Sequence, residues 1–227
     1  MSRLVSAVFF DVDDTLLDTP TSARRALRAV FGDDIDIPTW DAITEVQYAR
    51  FTAGELDFPA AMTARMAEFL ASRDERHDDA SAVAAERLRN ESFIANTVVY
   101  DDALPCLQAV RDRGLRLGVI TNSAPDHQRR KLAAAGLADA FDVVVISGAV
   151  GVAKPDAAIF QHACTAIGVD ADAALHVGDR LDMDALGAAG AGLVGVWLDR
   201  RGAARDERRV PVVTTLAELP ALVERAA

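Results

Sequence analysis

Val8-Phe9-Phe10-Asp11-Val12-Asp13-Asp14-Thr15-Leu16-Leu17 decides how the rest of the chain is read. An apolar run rich in β-branched and aromatic residues stops at an acid, so Val5 to Phe10 predicts a short buried strand. Asp11 and Asp13 follow at its carboxyl end, the edge where open α/β sheets bind ligands. Two like charges buried together are unfavourable unless a cation or a shared proton compensates. Asp-x-Asp therefore points to a hard, oxygen-bound metal and carboxylate chemistry. A strand that merely ends in an acidic turn has the same letters, so the motif needs company.

Three later stretches supply it: Val119-Ile120-Thr121-Asn122-Ser123, Gly151-Val152-Ala153-Lys154-Pro155 and His176-Val177-Gly178-Asp179-Arg180-Leu181-Asp182-Met183-Asp184. The first and third each close a strand-like run, and Lys154 lies in the loop after another, Val143 to Ile146. Further strands are expected over Leu115–Thr121, Ala174–Val177, Leu193–Leu198 and, briefly, Pro211–Thr214. Helices alternate with them over Asp101–Arg113, Asp126–Ala135, Asp156–Ile167 and Met183–Ala189, with a last one from Ala217. Regular alternation implies right-handed crossovers and a parallel sheet whose site residues gather along one edge. From Thr19 to Phe93 the pattern is helical throughout, with helices at Ser22–Phe31, Pro38–Phe51, Phe58–Leu70 and Asp79–Phe93. The expectation is an α/β fold: a Rossmann-like parallel sheet with helices on both faces, formed by residues 1–18 and 94–227. Residues 19–93 are expected to form an inserted all-α domain.

In the order Asp, Thr, Lys, Asp, these motifs resemble those of the haloacid dehalogenase-like hydrolase superfamily, in its phosphatase branch with a helical cap. The resemblance runs from Val5 to about Arg200. It implies a Mg²⁺-dependent phosphatase that hydrolyses a small phosphorylated metabolite through a phosphoaspartate. Asp11 would be the nucleophile. Asp13 would be general acid and then base, with its backbone carbonyl on the metal. Thr121 and the amides of Val12, Asp13 and Asn122 would hold the phosphoryl group. Lys154 would neutralise phosphate charge. Asp11 and Asp179 would ligate Mg²⁺, with Asp184 acting through water or by orienting the lysine; Asp182 between them is the weaker candidate. Asp14 stands where the family more often has glycine, and Arg180 where it often has serine. The segment Phe51-Thr52-Ala53-Gly54-Glu55-Leu56 is similar to the cap turn that often faces substrate, and Phe51, Glu55 and Arg65 are expected to set specificity. Two alternatives share the fold. A 2-haloacid dehalogenase needs neither a metal nor an acid at position 13, where it typically carries a non-acidic residue. A phosphosugar mutase uses the same motifs.

Composition narrows the partners. The chain has 227 residues and a formal net charge of −11, with no basic patch to offset it, which argues against a nucleic-acid partner. No apolar run reaches membrane-spanning length, and Asp11 interrupts any signal-peptide pattern, so a cytoplasmic monomer or homodimer is expected. Cys106 and Cys164 read as small buried residues in a reducing compartment. His77, His127, His162 and His176 lack metal-ligand spacing and are expected to be structural or exposed. Lys131 and Lys154 are the only lysines. An acidic, lysine-poor surface is compatible with salt adaptation, and a high-GC codon bias explains it equally well.

Overall fold

The computed structural model describes residues 5–73, 78–202 and 207–226. His77 and residues 203–206 of the charged loop after Gly202 lie outside them. The chain forms two compact units: Met1–Thr19 with Thr97–Ala227, and Pro20–Asn96.

The first unit is built on strand β1 (Ala7–Phe10), every residue of which is buried. Helices α1 (Thr19–Phe31), α2 (Ile37–Thr52), α3 (Phe58–Ser72) and α4 (Asp79–Ala95) follow. Next come α5 (Ala103–Asp112), β2 (Arg116–Thr121), α6 (Pro125–Ala134), β3 (Val143–Ile146), α7 (Ser147–Val150) and α8 (Ala157–Ile167). The chain closes with β4 (Ala174–Gly178), α9 (Leu186–Gly190), β5 (Val194–Leu198), β6 (Val212–Val213) and α10 (Leu219–Ala226). The six strands form one sheet in the order β3-β2-β1-β4-β5-β6, and every pairing is parallel. β1 is therefore central, and the chain order reverses on either side of it. Such a switch point opens a crevice at the carboxyl ends of the strands.

Alternate residues of β1 feed two cores. Val8 and Phe10 join Leu117, Val119, Val177 and the α5 residues Leu107 and Val110 on one face. Ala7 and Phe9 join Ile120 and the α8 residues Ile159, Phe160 and Ala163 on the other. Burial on both faces explains why the strands read as continuous apolar runs rather than alternating ones. Gly118 has no side chain because the Phe9 ring fills the space a Cβ would take.

The second unit is all-helical. Its core is Leu27, Ile35, Trp40, Ile43, Met66, Phe69, Leu70 and Ala82, with Trp40 and Phe31 edge-on to Phe69 at 5.1 and 5.4 Å. Aspartates start its helices: the side chains of Asp36, Asp57 and Asp78 accept from the backbone N–H of Thr39, Ala60 and Ser81. Each satisfies an orphan donor of a first turn. Arg65 corrects an expectation. It is buried, donates to Glu86 at 2.8 Å and lies 4.5 Å from the Trp40 ring centre. It belongs to the polar core of this unit, where Arg89 donates to the same Glu86. Glu55, in contrast, is exposed and pairs with Arg50 at 3.2 Å.

Two local features depart from the sequence pattern. The four-residue α7 was not expected, because one turn shows no period; it ends at Gly151 with φ 80°. The helix expected over Met183–Ala189 instead begins as a wide π-helical turn, Leu181–Ala185, before α9. Gly195 permits this by letting the Ala185 carbonyl close onto β5, where a Cβ would collide with it. No helix among the described residues is long and apolar enough to cross a membrane.

Candidate active site

The carboxyl ends of β1, β2 and β4 carry Asp11, Thr121 and Asp179, and the loop after α7 carries Lys154. Asp11 continues the β1 ladder, its N–H donating to the Val177 carbonyl at 2.9 Å. The chain then turns sharply: Leu16 and Leu17 both donate to the Val12 carbonyl at 2.9 Å. Asp14 takes φ 58° in that turn, a conformation that glycine adopts more readily than other residues. Aspartate tolerates this left-handed conformation through local hydrogen bonding, and here its Oδ1 accepts from the Thr19 N–H at 3.2 Å.

Lys154 is the hub. Its Nζ donates to Asp11 Oδ1 at 2.7 Å, Asp184 Oδ1 at 2.5 Å and the Ile120 carbonyl at 2.9 Å. The Lys154–Pro155 peptide is cis. Asn122 clamps the lysine backbone: Oδ1 accepts from Lys154 N at 2.8 Å and Nδ2 donates to Lys154 O at 3.0 Å. The sequence predicts a role only for the backbone N–H of Asn122, not for this side-chain clamp. Thr121 is buried at the end of β2, beside this clamp.

Asp184 is 1% exposed, and both of its oxygens are engaged. Oδ1 meets Lys154 and lies 3.2 Å from His176 Nε2, while Oδ2 accepts from the Arg180 N–H at 2.9 Å. The backbone of Arg180 does this work, so a serine side chain is not required. Its own side chain turns outward to Asp182, 3.6 Å away and exposed. Asp179 is half-buried and fixed from two sides. Its N–H donates to Thr15 Oγ1 at 3.1 Å and its carbonyl accepts from Trp197 Nε1 at 2.9 Å. His162 is exposed, His127 half-buried and His176 fully buried. Thr15 and Trp197 have no role among the sequence expectations, because each is an ordinary turn or core residue type, whereas His176, expected to be structural or exposed, is buried against Asp184. Lys131 stands out in the sequence only by its rarity; the fold buries it against Asp13, where its Nζ donates to Oδ1.

Asp11, Asp179 and Asp184 each offer a carboxylate oxygen, all within 4.8 Å of one another. Lys154 alone among the described cluster is cationic, so three acids face one ammonium. Burial pushes Asp11 up to about 8 despite Lys154, and burial with Asp184 and Asp14 nearby pushes Asp179 up to about 7. Burial would also raise Asp184, yet Lys154 and His176 together hold it well below the usual carboxylate range. Burial lowers Lys154, and the Asp11 and Asp184 charges outweigh it and raise the lysine. Asp11 and Asp179 are thus the two acids of the cluster that burial raises most clearly. An all-oxygen set with excess negative charge fits a hard divalent ion such as Mg²⁺. Asp11 and Asp179 fit as direct ligands, whereas the doubly bonded Asp184 fits the role of orienting Lys154.

A family sequence model described as haloacid dehalogenase-like hydrolase matches residues 5–192. Phosphoserine phosphatase of Thermus thermophilus is 34% identical over 220 residues, covering 85% of this chain and 88% of that one. Glyceraldehyde 3-phosphate phosphatase of Methanopyrus kandleri is 33% identical over 204 residues, covering 89% and 87%. Among solved structures, 2-haloacid dehalogenase from Pseudomonas syringae superposes with a TM-score of 0.69 at 28% identity, over 98% of this chain and 100% of that one.

Proposed function

Since the chain belongs to the haloacid dehalogenase-like hydrolase family and is a hydrolase of phosphate monoesters, we propose that it is a Mg²⁺-dependent phosphatase of small phosphorylated metabolites working through a phosphoaspartate on Asp11. The observation that carries this reading is Lys154, one ammonium bonded to Asp11 and Asp184 in a buried cluster of three acids. Asp11 and Asp179, with the Asp13 carbonyl, would hold the magnesium ion. When bound, the ion neutralises phosphate charge and keeps the Asp11 carboxylate ionised. Asp11 then attacks phosphorus, and the P–O bond to the leaving group breaks as the acyl phosphate forms. Thr121 and the amides of Val12, Asp13 and Asn122 donate to the phosphoryl oxygens, and Lys154 balances their charge. Asp13 gives the departing oxygen its proton and then takes one from the water that cleaves the acyl phosphate.

Asp13 also bears on the dehalogenase alternative. C–Cl hydrolysis expels chloride, which needs no proton, so neither an acid at position 13 nor a metal site serves it. The helical unit Pro20–Asn96 is assigned the role of a cap that selects substrates. The direct test is a panel of phosphorylated metabolites, run with magnesium and with EDTA and read as free phosphate. Phosphate release that requires magnesium is expected for at least one small phosphate monoester. Full activity in EDTA, or chloride release from 2-chloropropionate in place of phosphate release, would overturn the reading.

A further inference from the structure

Lys131 is one of two lysines in the chain, and its side chain is 3% exposed. It stands on α6, the helix that follows the Thr121 strand. Its ammonium donates to Asp13 Oδ1 and to Gln128 Oε1, the latter at 3.3 Å. Gln128 is fully buried and lies three residues earlier on the same helix face. The Thr19 hydroxyl donates to the same Asp13 oxygen at 3.2 Å. A buried ammonium is costly unless it is paired, and the phosphoryl site already has Lys154. The arginines next to it, Arg129 and Arg130, are exposed, so the helix turns its lysine inward and its guanidinium groups outward.

We propose that Lys131, steadied by Gln128, is a positioning residue that fixes the Asp13 carboxylate for proton transfer. This rests on the reading of Asp13 as the acid and base. Lys131 and Thr19 converge on Oδ1, which limits rotation of the carboxylate and assigns proton exchange to Oδ2. A lysine suits the task because a compact ammonium on a flexible stem can follow the small movement of an aspartate. A loose carboxylate would lose the near-attack geometry on which efficient transfer depends.

The test is Lys131→Met, which keeps the length of the apolar stem, measured beside Asp13→Asn with an alkyl phosphate and with p-nitrophenyl phosphate. Alkyl leaving groups need a proton in the first step, and nitrophenolate does not. Lys131→Met should lower kcat for the alkyl phosphate by about tenfold or more, with KM held within about twofold. With p-nitrophenyl phosphate the first turnover should persist as a burst of nitrophenolate, followed by a slowed steady rate. Gln128→Met, which leaves the ammonium in place, should show the same split more weakly and replaces Lys131→Met if that variant does not fold. An equal loss of the first-turnover rate on both substrates, loss in KM alone, or wild-type rates would overturn the inference. Failure of the acid/base reading itself would be separate: Asp13→Asn would then show no dependence on the leaving group. A split in Asp13→Asn without one in the Lys131 and Gln128 variants would sink the positioning role alone.

Discussion

Lys154 joins the nucleophile candidate to Asp184 through a single ammonium, and His176 completes the buried set. The acids divide by environment. Asp184 has donors on both oxygens, whereas Asp11 and Asp179 are raised by burial, to about 8 and about 7. Below those values the two carboxylates hold protons when no metal is bound, and a metal must displace them. Magnesium affinity should therefore rise as pH goes from about 6 to about 8, with proton release on binding that shrinks as pH rises. Calorimetry in buffers of different ionisation enthalpy measures both; a pH-independent affinity would contradict the assignment. In the same experiment Asp179→Ala should weaken binding more than Asp184→Ala, because the latter removes a partner of Lys154 rather than a ligand. At this scale the sequence was most legible where a residue ends a strand. Asp11, Thr121 and Asp179 were found that way, and Lys154 by its rarity. Lys131 has the same rarity, but α6 gives its position no motif, and only the fold brings it to Asp13.

Elements place these groups through close approaches that particular residues permit. A Cβ on Gly178 would collide with the Asp184 carboxylate, so this glycine is what lets the π-helical turn bring Asp184 under β4. Gly178→Ala should displace Asp184 and lower kcat by about tenfold or more, while the far-UV spectrum and the sheet survive. Unchanged turnover would show that Asp184 need not sit there. Asp156 caps α8, its Oδ1 accepting from Ala158 N at 2.9 Å; Asp156→Ala should cost about 1 kcal/mol in denaturant unfolding without changing kcat. Strand and helix identities were legible because runs such as Val143–Ile146 are apolar without interruption and α8 ends at Gly168, φ 76°. The π-helical turn and α7 were not, since the first depends on Gly195 across the sheet and the second is a single turn.

For the whole molecule, the aspartate-rich composition has a local use in helix capping, at Asp36, Asp57, Asp78 and Asp156. The parallel sheet follows from alternation that any reader of the chain can see, but its strand order, with β1 at the centre, follows from the fold. Within Pro20–Asn96, exposed Glu55 remains a candidate for substrate selection, and Glu55→Ala should change kcat/KM unequally across phosphorylated substrates. Arg65→Ala should instead destabilise the helical unit, since it removes one of the two arginine partners of Glu86 and uncovers Trp40. A single common factor across substrates for Glu55→Ala would count against selection by that turn. The most direct measurement is acid quenching of the enzyme during magnesium-supported turnover, followed by peptide mass spectrometry. The account predicts one phosphoryl group on the peptide containing Asp11, lost in Asp11→Asn. A protein that turns over phosphate esters without that adduct, or that carries it on another residue, would contradict the account.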